Sequence, residues 1–335
     1  MAGPLVTSVD WGDVVTTTLE SRSRKLADNI TNNNALLAYI KMRGRSRPFS
    51  GGREIMEELR YAQNQTFLWY SGYEALNIAV NDTMTAARFP IKQAAIAVVI
   101  SGLEEIQNSG KEQMIDLIGA RIDTAEDTFW NQMSAGVYSD GTGFGGKQIG
   151  GLALLISKVP TSGVVGGIDR ASQIWWQNVA VDQTVDTRST VTAANIQSYM
   201  NTTSISLKRN TDGIDLIVMD NNFYNFYLST LQTIQRISDD GKGDHSAGAG
   251  WTSLKYFGGG KSVDIVLDGG KNGQIPASTA YFINTDFLSW RPSSQRNFKV
   301  IGGERTNVNQ DAVVRLYAWA GNLTICNSSL QGVLF

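Results

Sequence analysis

The chain has 335 residues, 42% of them hydrophobic, and a formal net charge of −2, so it can build a core and is not globally disordered. That near-neutral charge gives no general affinity for nucleic acid. One cysteine (Cys326) and one histidine (His245) exclude a disulfide framework and leave too few ligands for a zinc site, so no metal, cofactor or catalytic residue is assigned.

No apolar run approaches the length of about 18 residues that reads as a membrane span. The opening MAGPLVTSVDWGD lacks a secretory pattern, and an intracellular product is expected. Residues 1–50 are polar, and 22–47 carry seven cations against the single acid Asp28. Leu26, Ile30, Leu36, Leu37 and Ile40 give helical hints without a closed core, so this reads as a solvated, partly helical arm. A sharper reading pairs its cations, among them Arg43, Arg45 and Arg47, with acids on a neighbouring subunit. Pro48 to Gly52 is a break.

From Arg53 to Ser101 the texture is β. Ile55, Glu57, Leu59 and Tyr61 alternate with Glu58 and Arg60. Thr66–Tyr73 is aromatic and β-prone, and Pro90–Ser101 is expected as a long strand. A hairpin is marginal in water alone. One carrying Trp69, Tyr70 and Tyr73 therefore needs a surface, either in its own domain or on another copy.

Ser109–Ser134 is the organising element, a long amphipathic helix. Ser109 and Glu112 fit a capping box. Met114, Leu117, Ile118, Ile122, Ala125, Phe129 and Met133 form one apolar stripe, with Asp116, Asp123 and Asp127 off it. Gly136 is expected to stop it. Gly141–Lys147 matches G-x-x-x-x-G-K, but a helix precedes it and Gln148 follows, so a phosphate loop is rejected in favour of a connector.

Beyond it the pattern is mixed. Strands are expected at 152–159, 214–219, 262–267 and 279–284, and helices at 192–209 (capped by Thr192) and after Asp220. The glycine-rich stretch 239–250 reads as a loop carrying His245. Two strands are expected around a Gly321-Asn322 turn. The acidic pairs Glu57-Glu58, Glu104-Glu105 and Asp239-Asp240 lack an evident acid–base partner. With Trp69, Trp175, Trp176, Trp251 and Trp290 they leave open a carbohydrate-active hydrolase.

The order arm, β excursion, long helix, mixed domain, terminal strands resembles the major capsid proteins of tailed bacteriophages with the HK-97-like fold. Local wording carries the resemblance: KLADN at 25–29, NNNALL at 32–37, FSGGR at 49–53, YSGYE at 70–74, FPIKQAA at 89–95, GGIDR at 166–170 and WAGNL at 319–323. It implies an α+β fold divided into an N-arm (1–50), an E-loop with flanking strands (51–100), a P-domain with its spine helix (101–150), an A-domain (151–300) and strands returning to the P-domain (301–335). The implied role is a self-assembling coat of hexamers and pentamers around double-stranded DNA, contacted non-specifically. The virion capsid would be assembled in the host cytoplasm, with a separate scaffolding protein, a portal protein and decoration proteins as partners and no membrane. Inter-subunit candidates are Arg43, Arg45, Arg47, Arg53, Glu57, Glu58, Trp69, Tyr70 and Tyr73, with Met114, Ile118, Ile122 and Phe129 as the spine-helix core. An encapsulin-like cargo shell shares the fold.

Overall fold

The computed structural model describes residues 34–101, 111–234, 254–258, 260–269, 273–307 and 310–335. Ser109, Glu104-Glu105, Asp239-Asp240, His245, Trp251 and the first 33 residues lie outside these, as do the side chains of Met114, Asp116, Leu117 and Ile118.

Helix α1 (Ala35–Met42) starts where Asn34 Oδ1 accepts the Leu37 N–H at 3.0 Å. Leu36, Leu37, Tyr39 and Ile40 are buried. The expectation of a solvated arm fails here. The helix is two turns of apolar side chains, and the core of its own chain closes over them.

Strands β1 (Glu54–Arg60) and β2 (Met84–Pro90) pair antiparallel, Glu54 opposite Pro90 through Arg60 opposite Met84. β1 buries Ile55, Glu57 and Leu59 and exposes the residues between, as its period of two requires. The β-prone Thr66–Tyr73 segment is irregular, not a strand. A strand needs a partner backbone, and residues 62–82 meet none among the described residues.

β3 (Lys92–Ser101) leads to helix α2 (Lys111–Val137), a rod of 27 residues. Ile122, Ala125, Phe129, Met133 and Val137 form its buried stripe. Gly136 does not end the helix. It lies inside it, and Ile149 Cδ1 sits 3.0 Å from where a Cβ would project. The connector that follows turns on Phe144 and Gly145, both in the left-handed region. Leu152–Leu155, expected as a strand, is one helical turn. A short apolar run does not distinguish the two by periodicity.

The mixed region is a six-stranded sheet ordered β6-β14-β10-β7-β9-β8. Its strands are β6 (Val179–Val181), β7 (Leu216–Met219), β8 (Leu254–Gly258), β9 (Lys261–Leu267), β10 (Ala280–Ile283) and β14 (Gly332–Leu334). Alternate residues face two cores. Leu216, Val218, Tyr281 and Ile283 join the main core with α1 and α2, whereas Ile217, Met219, Ala280 and Phe282 join a second. Helices α3 (Ile196–Ser206) and α4 (Asn221–Ile234) cover that second face. Both faces are covered, which explains the unbroken apolar runs. α3 begins later than expected, because Asn195 Oδ1 takes the Thr192 N–H at 2.7 Å outside the helix. α4 starts as expected, with Asp220 Oδ1 accepting from Phe223 N–H at 3.0 Å.

A second sheet is built on β13 (Gln310–Ile325), with β3 on one edge and β11 (Leu288–Pro292) and β12 (Lys299–Asn307) on the other. The expected Gly321-Asn322 turn is absent. β13 runs straight through, and the Arg291 carbonyl lies 2.5 Å from where a Cβ on Gly321 would stand. The last strand, β14, does not return to the sheet beside α2 but inserts between β6 and β10.

Candidate functional site: a rooted excursion

The root is built from β1 outwards. Ile55, Leu59, Ala87 and Phe89 bury one face of the ladder. Glu57, on that face, accepts from Thr324 Oγ1 at 2.9 Å and from Cys326 Sγ at 3.4 Å, and lies 3.5 Å from Arg291 Nε. Burial, then the nearby Glu57 carboxylate, pushes the Cys326 thiol up to about 12, so it remains a neutral donor. Glu57 is therefore not an inter-subunit contact. A carboxylate with three partners in its own core has no free face.

A hairpin of β4 (Val164–Val165) and β5 (Ile168–Asp169) supports the ladder from the side. Its turn residues Gly166 and Gly167 are both left-handed, and Gly166 O accepts from Arg88 N–H at 2.8 Å. A Cβ on Gly166 would stand 2.8 Å from Ala87 Cβ, so only glycine permits this approach. Tyr61 stacks on Trp175, centroids 5.3 Å apart, at the last paired step. Arg170, fully buried, donates to the Leu154 and Leu155 carbonyls and to Ser328 Oγ. Burial lowers its pKa to about 10.

Beyond Tyr61 the excursion is bare. Trp69 is 90% exposed, and Phe67, Tyr70, Tyr73, Leu76, Ile78 and Val80 are exposed with it. Its local order comes from Asn64, which accepts from the Thr66 N–H and from Asn81 Nδ2, and from an edge contact between Phe67 and Trp69. Large contiguous apolar exposure of this kind marks an interaction surface. The alternation Leu76, Ile78, Val80 was legible in the sequence but was not singled out. Elsewhere an apolar groove of about 380 Å³ runs between β3 and α2, lined by Ala94, Ile96, Phe129, Met133, Phe144 and Ile149.

The basic candidates divide. Arg43 donates to Tyr39 Oη at 2.7 Å and lies 3.8 Å from Asp215, and Arg45 pairs with Asp286. Both are engaged by their own chain, which corrects the picture of free cations on an arm. Tyr39 Oη in turn donates to Asp264 Oδ2 at 3.0 Å, and Asn34 reaches Asp268 at 3.4 Å. Arg47, Arg53 and Glu58 have exposed side chains. Burial raises the carboxyls of Asp215 and Asp268 from their ordinary value.

Trp176 and Trp290 are buried, Trp290 stacking on Trp319 at 5.1 Å, so these two are core side chains and line no open groove. Among the described residues no group of three or more His, Cys, Asp or Glu is placed to hold a metal, and no helix is long and apolar enough to cross a membrane.

No protein-family model matches the chain, and no curated protein does. Solved structures do. A chain of the cyanophage A-1(L) capsid asymmetric unit superposes with a TM-score of 0.59 at 14% identity, covering 88% of this chain and 92% of that one. The capsid of Myoviridae phage XM1 gives 0.51 at 11%, over 88% and 90%. The capsid of an empty GTA particle gives 0.50 at 11%, over 88% and 94%. At these identities the likeness establishes the fold, and the chain has the α+β, HK-97-like fold of tailed-phage capsid proteins.

Proposed function

We propose that the chain is a major capsid protein that self-assembles as hexamers and pentamers into an icosahedral shell around the double-stranded DNA of a tailed phage. The observation that carries this is the excursion: an apolar tip left exposed by the described residues of its own chain, held out on a root with a buried carboxylate and a glycine-only contact. A stable interface buries about 1,200–2,000 Å² in total, and such a tip supplies area only when a second copy covers it. The groove between β3 and α2 is an apolar receptor of suitable character. In this reading residues 51–100 form the E-loop, 101–150 the spine-helix domain, and 151–300 the domain clustered at five- and six-fold axes. Arg47, Arg53 and Glu58 rim the contact, and scaffolding, portal and decoration proteins are further partners. No catalytic role is assigned.

Sedimentation and negative-stain microscopy of the expressed protein test the reading. Capsomers or closed shells are expected, and a stable 36.5 kDa monomer at high concentration would overturn it. Shells that hold an enzyme instead of DNA would move the assignment to a cargo compartment.

A further inference from the structure

The groove between β3 and α2 has an aromatic residue standing at its mouth. Its floor is Ala94 and Ile96 of β3, Phe129 and Met133 of α2, and Ile149. Gln93, Gln132 and Lys147 form its rim. Phe144 lines it too, yet is 76% exposed. Phe144, Gly145 and Gly146 are three left-handed residues in a row, with φ of 53°, 66° and 79°. That region costs an L-residue free energy that glycine escapes. Phe144 is thus held off the apolar floor beside it, against both its backbone preference and its hydrophobicity. The turn is pinned on both sides. Thr142 N–H donates to Asp140 Oδ1 at 3.0 Å, Gly146 N–H donates to the Thr142 carbonyl at 3.0 Å, and Lys92 Nζ donates to the Gly146 carbonyl. What stays adjustable is the ring itself, which swings by side-chain rotation.

An apolar cavity of about 150 Å³ holds benzene, so this groove, at about 380 Å³, has room for an indole. The excursion matches it in charge as well as in character. Between Tyr61 and Ala87 the chain carries the acids Glu74 and Asp82 and no cation, whereas the rim of the groove carries Lys147. Glu74 is exposed and follows Tyr73. An aromatic side chain buries about 150–250 Å². The four exposed rings of the tip, on Phe67, Trp69, Tyr70 and Tyr73, therefore approach the roughly 800 Å² that each partner gives to a standard interface. We propose that the groove receives Trp69 from the tip of a second copy, that Phe144 folds over the indole as a lid, and that Lys147 pairs with Glu74 of that copy. Trp69 is the anchor because tryptophan is enriched where interfaces concentrate their energy. The proposal rests on the coat reading and adds to it a receptor and the two residues that select its occupant.

Sedimentation of the full chain over a range of concentrations is the test, read as the concentration at which capsomers form. Lys147→Glu and Glu74→Lys should each raise it at least tenfold, and the double variant Glu74→Lys with Lys147→Glu should restore it. Single variants that assemble as the parent does, or a double variant no better than either single one, would overturn the receptor and leave the coat reading standing. A parent that stays monomeric would overturn both. Phe144→Gly keeps the left-handed turn and deletes the ring. It should raise the same concentration about tenfold without lowering the thermal unfolding temperature of the single chain, since the ring is exposed. Assembly of Phe144→Gly at the parent's concentration would overturn the lid.

Discussion

Two buried carboxylates behave differently because their partners differ. Glu57 neutralises Arg291 and accepts from Thr324 and Cys326. Glu57→Ala removes the carboxylate beside the partly buried Arg291 guanidinium and the acceptor of the Cys326 thiol, leaving Thr324 only the Ser289 carbonyl at 3.3 Å, and a loss of about 3–5 kcal/mol is expected in denaturant titration. Glu57→Gln, which keeps an acceptor, should lose less. Asp215 is held by the Thr285 N–H at 2.8 Å and by the Thr285 hydroxyl, yet burial still raises its pKa. Its folded value lies above the unfolded value of about 3.9, so folding favours the neutral acid. That contribution is complete below the unfolded value and is lost as pH rises through the folded one. Asp215→Asn should therefore gain stability relative to the parent as pH rises out of the carboxylate range, and the gain should vanish near pH 4, about the unfolded value. A difference independent of pH would refute this. The alternation on β1 placed Glu57 with Ile55 and Leu59 in the sequence. Its partners, more than 230 residues distant, are not legible there, and without them an acid next to Glu58 resembles a contact for another subunit.

Among the elements, α2 was legible because a stripe sustained over many turns has one physical explanation. Its end was misjudged, since Gly136 serves close packing with Ile149 and not termination. α1 was underestimated for a related reason. Eight residues form a marginal helix in water, so its order depends on the surface it covers, which the sequence does not display. Leu36→Ala and Ile40→Ala should each cost about 2–5 kcal/mol as fully buried aliphatic truncations. Deleting residues 1–50 should prevent folding altogether, as read by circular dichroism. A well-folded but non-assembling truncation would show that α1 serves assembly only.

For the whole molecule, the order of elements carried the fold and the wording of scattered segments carried the resemblance, while composition supplied only exclusions. The exposed tip is the clearest case of sequence and structure meeting. Its aromatics read as β-prone because they suit an extended, half-buried surface, and none of the described residues supplies the half that would bury them. Trp69→Ser combined with Tyr73→Ser should leave thermal unfolding of the single chain unchanged, because neither side chain contributes to the core. The same variant should stop capsomer formation in sedimentation. Assembly at the parent's concentration would show that the tip is dispensable.

β2 passes into β3 through Ile91 alone, and all 10 residues of β3 pair with β13. The excursion and the central sheet are thus mechanically in series. A pull at the tip along the ladder is transmitted to β3, where the bonds to β13 lie side by side and share the load as a shear. They do not open one at a time. Hydrogen bonds of about 1 kcal/mol each then resist together, and in the proposed shell β13 would be the tensile member that relays strain at the tip to the body of the chain.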